Sequence, residues 1–414
     1  MVELPNKTLQ EYAPIVGEGI LREIRLLASH VQGARVQHVN STAEGGGVAE
    51  LLAMLVPLMR DVGLDAVWDV MEGSDAFFDV TKVLHNNLHG EHHALTPEMR
   101  KIFWDTTHAN VPLLRRDADF VCIHDPQPVG LVRERREKAR WIWRCHIDLS
   151  DADASTWPFV RQLVERFDGG IFHLPDYAKD LSIPQFICPP AIDPLSVKNC
   201  ELDRAEIDAV LEKYGLDPAL PIVLQVSRYD RLKDPVGVVR GYKLAARSHR
   251  CQLVLVGAAV RDDPEGAEVL AEVRDAARGD PDVHVLVMER GAPREVNALQ
   301  RAATIVVQKS LKEGFGLTVT EAMWKARPVI GGAVGGIRRQ IIQGSTGYLV
   351  HSVEGMAYRV RQLLGNPALA RQLGENAKRF VTENYMPTVY LKHWLMALLA
   401  LNSGTDAPVV ALGS

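Results

Sequence analysis

Short apolar segments alternate with longer segments of helical period along most of the chain. In the first half the apolar segments are ARVQHVN, DAVWDVM, FVCIHD, RWIWRCH, GGIFHLP and QFICPP, and in the second half they are PIVLQVS, QLVLVG, VHVLVM, ATIVVQ, RPVIGG and GYLV. Strands rich in valine and isoleucine that alternate with helices are typical of β-α-β units on a parallel sheet. The pattern therefore predicts an α/β protein in which each half is a Rossmann-like, doubly wound parallel sheet.

The alternation is interrupted where prolines and polar residues follow the sixth apolar segment, in CPPAIDPLSVKNCELDRAEID. A chain of 414 residues also exceeds what a single hydrophobic core usually fills. We predict an N-terminal domain over residues 1–195, a C-terminal domain over 196–385, and a closing helix with a tail of few structure signals over 386–414. Two facing α/β domains would place their strand carboxyl ends on a shared cleft, which is the usual ligand site.

Composition and charge limit the partners and the cellular location that we expect for the protein. The net charge of −5 gives no global basic field, so we expect neither nucleic acid nor a membrane as a partner, and any anion site must be local. The start, MVELPNKTLQEYAPIVGEGI, lacks the basic end and apolar stretch of a signal peptide, and we expect the protein to stay in the cytoplasm. Cys122, Cys145 and Cys251 lie in or beside apolar strands and are predicted to be buried, reduced thiols.

Two carboxylates flank a glycine turn in KEGFGLTVTEAMWKA, directly after the predicted strand ATIVVQ. Glu313 precedes the turn, and Glu321 falls in the second turn of the helix that follows. Their spacing predicts a separation of about 10 Å, which suits the two ends of one ligand better than a catalytic pair. The alternative is a capping glutamate and a second glutamate on a solvated helix face.

A basic loop strengthens the ligand interpretation. The strand PIVLQVS leads into RYDRLKDP, which places Arg228 and Lys233 at a strand carboxyl end. A guanidinium and a flexible ammonium group are suited to a pair of bridging phosphates. A solvated basic loop is the alternative when the segment is taken by itself.

The first domain carries weaker signals. Gly45, Gly46 and Gly47 join a strand to a helix without forming G-x-G-x-x-G, so a dinucleotide site is unsupported, although the backbone there can approach a phosphate or a sugar. A second polar segment, WRCHIDLS, places His146 and Asp148 just past a strand, where a histidine can donate to a sugar hydroxyl or act structurally. In HDPQP the carboxylate of Asp125 can bind a hydroxyl.

A histidine-rich segment, HNNLHGEHHALTPEMR, raises the question of a metal site. It contains His85, His89, His92 and His93, but no cysteine or carboxylate shares a metal-ligand spacing with them. We therefore expect a polar loop that enters a helix, and no metal.

The motifs together resemble a known family. EGFGLTVTE with the preceding R-x4-K is similar to the retaining glycosyltransferases of GT-B architecture, in the glycogen-synthase-like group. Within that group VNSTAEGGGVAELL, HDPQP, WRCHIDLS, FHLPDY, PPAIDPLS and EGFGLTVTEAMWK resemble the glycosyl-transferring trehalose synthases, over about residues 36–385. The resemblance implies transfer of glucose from a nucleoside diphosphate glucose, such as UDP- or ADP-glucose, to free glucose, forming α,α-trehalose with retention.

The resemblance also implies residue roles on the donor side. Arg228 and Lys233 would hold the diphosphate and stabilise the charge that develops on it. Glu321 would bind the ribose hydroxyls and Glu313 the hydroxyls of the donor sugar. The backbone that would face sugar and phosphate belongs to Gly314, Phe315, Gly316 and Leu317.

On the other side of the reaction, the resemblance implies that His146 contacts the donor sugar near the reacting centre and that Gly46 and Gly47 approach the phosphate. Asp125 and Asp148 are candidates for the acceptor. The last helix, in NYMPTVYLKHWLMALLAL, would cross back to the first domain. No cofactor is implied, stimulation by Mg²⁺ is left open, and the partners are the small-molecule substrates, with homodimerisation undecided.

Other functions remain open at this point. A trehalose phosphorylase shares many of the motifs but would have little use for a ribose contact at Glu321. A nucleotide-sugar epimerase or a non-catalytic sugar-binding module is more distant. The nucleotide base is expected to be read near VHVLVMERGAP, where no residue decides between uridine and adenosine.

Overall fold

The first twelve strands coincide with the predicted apolar segments. A computed structural model describes residues 1–414 except 45, 259–263, 289–291, 405–408 and 412–414. The strands of the described chain are β1 Arg35–Asn40, β2 Asp65–Val70, β3 Phe120–His124, β4 Arg140–Arg144, β5 Gly169–Phe172, β6 Gln185–Ile187, β7 Ile222–Val226, β8 Gln252–Ala258, β9 Val283–Met288, β10 Ile305–Gln308, β11 Val329–Gly332, β12 Gly347–Val350 and β13 Val409–Ala411.

Helices occupy most of the chain between the strands. The α-helices are α1 Ala13–Val16, α2 Glu18–Ser29, α3 Gly47–Asp61, α4 Asp75–Leu88, α5 Pro97–Ala109, α6 Trp157–Val164, α7 Arg204–Lys213, α8 Pro235–Ala246, α9 Pro264–Ala277, α10 Pro293–Ala302, α11 Leu317–Trp324, α12 Ile337–Gln340, α13 Val353–Leu364, α14 Pro367–Asn384 and α15 Pro387–Ser403. Short 3-10 helices are Leu9–Tyr12, Val111–Leu113, Val129–Glu134, Pro175–Tyr177 and Arg231–Lys233. Among the described helices, none is both long enough and apolar enough to cross a membrane.

The chain divides into two compact units. The first contains Met1–Ala191 together with Pro387–Ser414, and the second contains Ile192–Met386. The corresponding predicted boundaries fall after residues 195 and 385. In the first unit α15 packs against α2 and α3, so the last helix returns to the N-terminal half of the chain. The tail does contain a strand, because β13 pairs with β6, contrary to the expectation of little structure there.

The sheet of the first unit has the strand order β13-β6-β5-β4-β3-β1-β2, and all its neighbouring strands are parallel. Along the chain, β1 is the first strand of this sheet. β2 lies on one side of β1, and β3, β4, β5 and β6 follow one after another on the other side. The order therefore reverses between β1 and β3, and loops leaving the carboxyl ends of these two strands diverge to form a crevice. Cys122 and Cys145 are buried in this unit, as predicted.

The second unit repeats the arrangement with the order β12-β11-β10-β7-β8-β9, again all parallel. Here the order reverses between β7 and β10. Its core contains Cys251, which is buried as predicted, and apolar side chains of β7, β8, β10, α8 and α13. The prediction of two doubly wound α/β halves is confirmed.

The return of α15 can be tested by shortening its most buried ring. Trp394 is fully buried and its ring packs against those of His38 and Tyr390. We expect Trp394→Ala to lower the free energy of unfolding by about 3–5 kcal/mol, because it leaves a large cavity in the first unit. Chemical denaturation followed by circular dichroism measures the change.

Leu26 provides the control, since 64% of its surface is exposed on α2. Leu26→Ala should change stability by less than about 0.5 kcal/mol. A similar small effect for Trp394→Ala would show that α15 does not contribute to this core.

Candidate functional site

The loop after β7 is held by two hydrogen bonds to the backbone of Lys233. Oδ1 of Asp230 accepts a hydrogen bond from the backbone N–H of Lys233 at 3.0 Å, which caps the 3-10 helix Arg231–Lys233. Behind it, the side-chain amide of Gln225 in β7 donates to the carbonyl of Lys233 at 2.9 Å. These contacts fix both polar backbone groups of Lys233, so the direction of its side chain is set by the loop.

That direction brings Lys233 to Glu313. Nζ of Lys233 lies 2.7 Å from Oε2 of Glu313, and the two side chains are only 16% and 12% exposed. The hydroxyl of Ser310 also donates to Oε2 of Glu313, at 3.3 Å. The structure thus joins the end of β7 to the end of β10 through a partly buried ion pair, located where the strand order reverses.

The glycine turn is hydrogen-bonded to both ends of α12, through the N-cap residue Gly336 and the last helical residue Gln340. Gly336 N–H donates to the carbonyl of Gly314 at 3.1 Å, and the side chain of Gln340 donates to the carbonyl of Phe315 at 2.6 Å. Gly316 has a φ of +85°, a conformation that favours glycine, and it precedes α11 without a side-chain cap. Leu317 then begins the helix, and the N–H of Val319 in its first turn donates to the carbonyl of Gly316 at 2.9 Å. The N–H groups that begin a helix can bind an anion, and here they adjoin the glycine turn.

Glu321 is not on a solvated helix face. It is 5% exposed, and its Oε1 lies 3.9 Å from Nζ of Lys198, in the segment that begins the second unit. The alternative of a solvated helix glutamate is therefore wrong.

A buried lysine stabilises the end of the same helix. Nζ of Lys325 donates to side-chain oxygens of Asn199 and Gln300, both at 2.7 Å. The indole of Trp324 donates to the carbonyl of Asn199 at 3.0 Å. Burial lowers the pKa of Lys325 to about 7, partly offset by nearby Glu321. These contacts attach the segment carrying Lys198 to α11.

Arg228 differs from Lys233 in its surroundings. Its side chain is 65% exposed, and its guanidinium lies 2.9 Å from Asp230. The structure therefore places Arg228 in the same loop as Lys233, with a largely exposed side chain. An exposed guanidinium can change rotamer at little cost when an anion arrives.

Lys309 and Asp234 form a further ion pair that the sequence reasoning missed. Lys309 follows β10 and is 6% exposed, and Asp234 caps α8 through Gly237 N–H at 3.0 Å. Asp234 adopts a φ of +48° to do so. The signal was present in the sequence: the letters KS directly follow ATIVVQ at a strand end, and the letters DP close the basic loop RYDRLKDP where a helix begins.

In the first unit, the glycine run lies at the reversal between β1 and β3. Gly46 precedes α3 in extended backbone with no side-chain cap, and Gly47 is the first helical residue. A methyl group at Gly46 would meet no atom within 4 Å, so packing does not require glycine there. Gly45 lies outside the described residues.

The two acids proposed for the acceptor each accept a hydrogen bond from the backbone N–H of another residue. Asp125, with a φ of +65°, accepts from the N–H of His146 at 2.7 Å, and burial raises its pKa to about 7. Asp148 is 5% exposed and accepts from the N–H and the hydroxyl of Ser150 at 2.9 and 2.5 Å. Both carboxylates therefore shape the loops after β3 and β4.

His146 lies between two other histidines. Its Nε2 is 3.0 Å from Nδ1 of His124, and its Nδ1 is 3.1 Å from Nε2 of His173. Burial, with Arg144 nearby, holds the pKa of His146 well below its usual range. The ring is neutral, and both of its nitrogens are hydrogen-bonded within the protein. The sequence reasoning missed His124 and His173 as its partners.

The histidine-rich segment is partly helical. His85 lies in α4 and not in a loop, because the helical pattern continues to Leu88. His92 and His93 follow it and bond to Asp153 and Glu91, each at 2.8 Å. Among the residues that the structure describes, no group of three or more histidine, cysteine or acidic side chains could hold a metal ion. Of the segment expected to read the base, residues 289–291 are outside the described chain.

Comparisons with known proteins identify the family of the chain and its fold. Residues 38–179 match the family described as trehalose synthase, N-terminal domain, and residues 206–380 match glycosyl transferases group 1. The fold is similar to sucrose-phosphate synthase from Thermosynechococcus elongatus, with a TM-score of 0.67, 19% identity and coverage of 90% of this chain and 100% of that one. It is also similar to an Escherichia coli protein titled as trehalose-6-phosphate bound with UDP-2-fluoro glucose, with a TM-score of 0.71, 12% identity and coverage of 88% and 99%.

The fold and the two sequence matches define a glycosyltransferase of GT-B architecture. The trehalose synthase of Thermococcus litoralis is 45% identical over 94% of this chain and 96% of its own length. That of Rubrobacter xylanophilus is 40% identical over 92% and 94%. The chain belongs to the trehalose synthase family, and its chemistry is glycosyl transfer related to trehalose.

The support under the glycine turn can be tested at Gly336. A methyl group there would lie 2.5 Å from Cα of Phe315 and 2.9 Å from the carbonyl oxygen of Gly314, although its φ of −66° suits any residue. We expect Gly336→Ala to destabilise the protein by about 1–3 kcal/mol through this overlap. Gly19→Ala is the matched control, because a methyl group there meets nothing within 4 Å and should be neutral or stabilising in thermal unfolding.

The buried ammonium group of Lys325 predicts a pH dependence. Between its folded pKa of about 7 and its ordinary 10.5, the unfolded chain binds a proton that the folded chain does not. This group therefore makes stability rise with pH across that interval. We expect the stability difference between the native protein and Lys325→Met to grow in favour of the native protein from pH 7 to pH 10, measured by urea unfolding. A difference that stays constant with pH would show that Lys325 remains protonated in the fold.

Proposed function

We propose that the protein transfers glucose from a nucleoside diphosphate glucose to the anomeric hydroxyl of free glucose, with retention, and so forms α,α-trehalose. The observation that carries this proposal is the contact of Lys233 with Glu313 beside the glycine turn. It brings a cation, a carboxylate and uncapped helix amides together where the strand order of the second unit reverses. A phosphate needs the cation and the amides, and a sugar hydroxyl needs the carboxylate.

The ion pair also suits a site in which both charged groups need a partner before the ligand binds. Lys233 and Glu313 are both largely desolvated, and each compensates the charge of the other. A donor that supplies a diphosphate to Lys233 and hydroxyls to Glu313 replaces one set of charge-assisted contacts with another. Binding therefore leaves neither group buried without a partner, and we assign Arg228 to the outer phosphate.

Glu321 is assigned to the ribose. It is in the second turn of α11, so the helix whose first amides we assign to the diphosphate also carries the carboxylate further along the nucleotide. Because its side chain is buried, Glu321 can be reached only by a ligand that enters the site. Two ribose hydroxyls can donate to one carboxylate, which is the arrangement that a nucleoside diphosphate provides and inorganic phosphate does not.

The bond changes need no nucleophile from the protein. The bond from the anomeric carbon to the diphosphate oxygen breaks, and the acceptor oxygen forms its bond to the same face of that carbon. The proton of the acceptor hydroxyl passes to the departing phosphate oxygen. Lys233 and Arg228 stabilise the negative charge that develops on the leaving group. We assign His146 to a contact with the donor sugar near the reacting centre.

We propose no required cofactor. Any Mg²⁺ effect would then come from an ion that accompanies the diphosphate. We also propose that the partners are the small-molecule substrates alone, in the cytoplasm, without nucleic acid or membrane. A purified sample treated with EDTA should retain its activity with a nucleoside diphosphate glucose.

Trehalose phosphorolysis is the second candidate, since the trehalose phosphorylase of Pleurotus pulmonarius is 26% identical over 96% of this chain and 61% of its own length. The donors separate the two candidates. Glucose with UDP-, ADP- or GDP-glucose should yield α,α-trehalose, detected by NMR of a product made from glucose labelled at its anomeric carbon. Product from glucose 1-phosphate only would replace the proposed function with phosphorolysis.

Substitutions at Lys233 and Glu321 test the residue roles. We expect Lys233→Ala to lower kcat by about 10²–10³-fold, because the leaving phosphate loses a cation. Glu321→Gln should instead raise KM for the donor by about 10–100-fold, with less effect on kcat, since it weakens contacts to the ribose that do not change during the reaction. Initial rates over a range of donor concentrations separate the two effects.

Arg231→Ala is the matched control. Arg231 belongs to the same 3-10 helix as Lys233, but its guanidinium pairs with Glu268 and Glu272 of α9, each at 3.0 Å. The Arg231→Ala substitution removes the same charge from the same loop as Lys233→Ala. It should leave kcat within about twofold of that of the native protein. Equal losses in Arg231→Ala and Lys233→Ala would mean that general loop charge, and not a phosphate contact, accounts for the effect.

A further inference from the structure

Four histidines form a continuous hydrogen-bonded row across the sheet of the first unit. His38 lies in β1 and His124 ends β3, while His146 and His173 follow the ends of β4 and β5. These strands are neighbours in the order β5-β4-β3-β1. The nitrogen-to-nitrogen distances along the row are 3.0, 3.0 and 3.1 Å, and each link joins Nδ1 of one ring to Nε2 of the next.

The rings are neutral because of where they lie. His38 and His124 are 0% and 1% exposed, and burial lowers the pKa of His38 to about 3. The pKa values of the other three rings are held well below their usual range by burial, with the buried guanidinium of Arg144 as a further cause for each. The charged and titratable groups beside the row are thus Arg144 on β4 and Asp125 after β3.

A row of neutral imidazoles has a direction. Each neutral ring carries one N–H and one lone pair, so a link between two rings needs a donor on one side and an acceptor on the other. If any ring in the row donates through Nε2, its neighbours must do the same for every link to be satisfied. The row therefore exists in one of two states, with all four rings protonated at Nε2 or all four at Nδ1.

Met59 decides between the two states. Nε2 of His38, at one end of the row, lies 3.4 Å from the sulfur of Met59 in α3. A thioether has no proton to donate, so it can only accept. His38 must then carry its proton on Nε2 and accept on Nδ1, and the same tautomer follows for His124, His146 and His173 in turn.

We propose that Met59, His38 and His124 are positioning residues that fix His146 and His173 as Nε2–H tautomers, with Nδ1 of each ring as an acceptor. Resting on the proposed assignment of His146 to the donor sugar, this fixes which nitrogen of each ring donates and which accepts at the carboxyl end of the sheet. A polar group that meets Nδ1 of His173 there must be a donor, such as a hydroxyl.

The tautomers can be measured directly by long-range ¹⁵N–¹H correlation NMR on protein labelled with ¹⁵N-histidine. The signals of the four rings are identified from single His→Asn variants. We expect all four rings of the native protein at pH 7 to show the Nε2–H pattern. An Nδ1–H or doubly protonated ring at any of the four positions would overturn the proposal.

Met59→Leu tests the cause. Leucine has nearly the same volume but no acceptor, so the change should cost less than about 1.5 kcal/mol of stability. Nε2–H of His38 would lose its partner, and we expect Nδ1–H signals to appear in all four rings together. Met54→Leu, a buried methionine of the same helix, should leave the pattern unchanged. Unchanged tautomers in a folded Met59→Leu variant would overturn the role of Met59.

His124 offers a pair of variants with opposite effects on the row. Asparagine places an amide oxygen near the position of Nδ1 and keeps an acceptor for His146, whereas glutamine keeps a donor for His38 and loses that acceptor. We expect His146 to retain its Nε2–H signal in His124→Asn and to lose it in His124→Gln. The same loss in both would overturn the directional role. These readouts need no substrate, so failure of the proposed function would leave this test intact.

Discussion

The carboxyl ends of β7 and β10 are neighbours because the strand order of the second unit reverses between them. A β-α-β chain normally carries each loop toward a helix on one face, and only at a reversal do two adjacent loops leave toward opposite faces. The basic loop and the glycine turn are 80 residues apart in sequence at their point of contact, between Lys233 and Glu313. Every assignment made for the donor depends on this topological adjacency.

Charge compensation follows from the same constraint. Strand ends inside a sheet are poorly solvated, so a cation placed there needs an acid within reach. Lys233 is paired with Glu313, Lys309 with Asp234, and Lys198 lies near Glu321. The second residue of each pair comes from a different loop or helix, so the charges also hold the loops in register. In the function that we propose, an entering diphosphate would compete with carboxylates already in place, which favours a ligand that brings hydroxyl donors with its negative charge.

The sequence predicted the strands and the strand-end motifs because both are local. A run of valine and isoleucine identifies a strand, and R-x4-K or E-G-F-G identifies a polar loop, without knowledge of the partner. It could not predict that Glu321 is buried, since that depends on Lys198 and Lys325 converging from separate segments. Nor could it place β13, because a strand of three residues at a sheet edge carries little pattern of its own. The roles of Asp125 and Asp148 were equally hidden, because hydrogen bonds to nearby backbone leave no trace in spacing.

The reversal point of the first unit uses neutral groups where the second uses charges. Its two flanking strands contribute His38 and His124, and the links to His146 and His173 continue across the sheet. An imidazole can both donate and accept, so a row of them satisfies its own buried nitrogens without any net charge beside Arg144. Such a row is satisfied equally well in either direction until one end meets a group of fixed polarity. The sulfur of Met59 is such a group, and a single weak acceptor therefore determines how four rings on or beside four neighbouring strands are protonated.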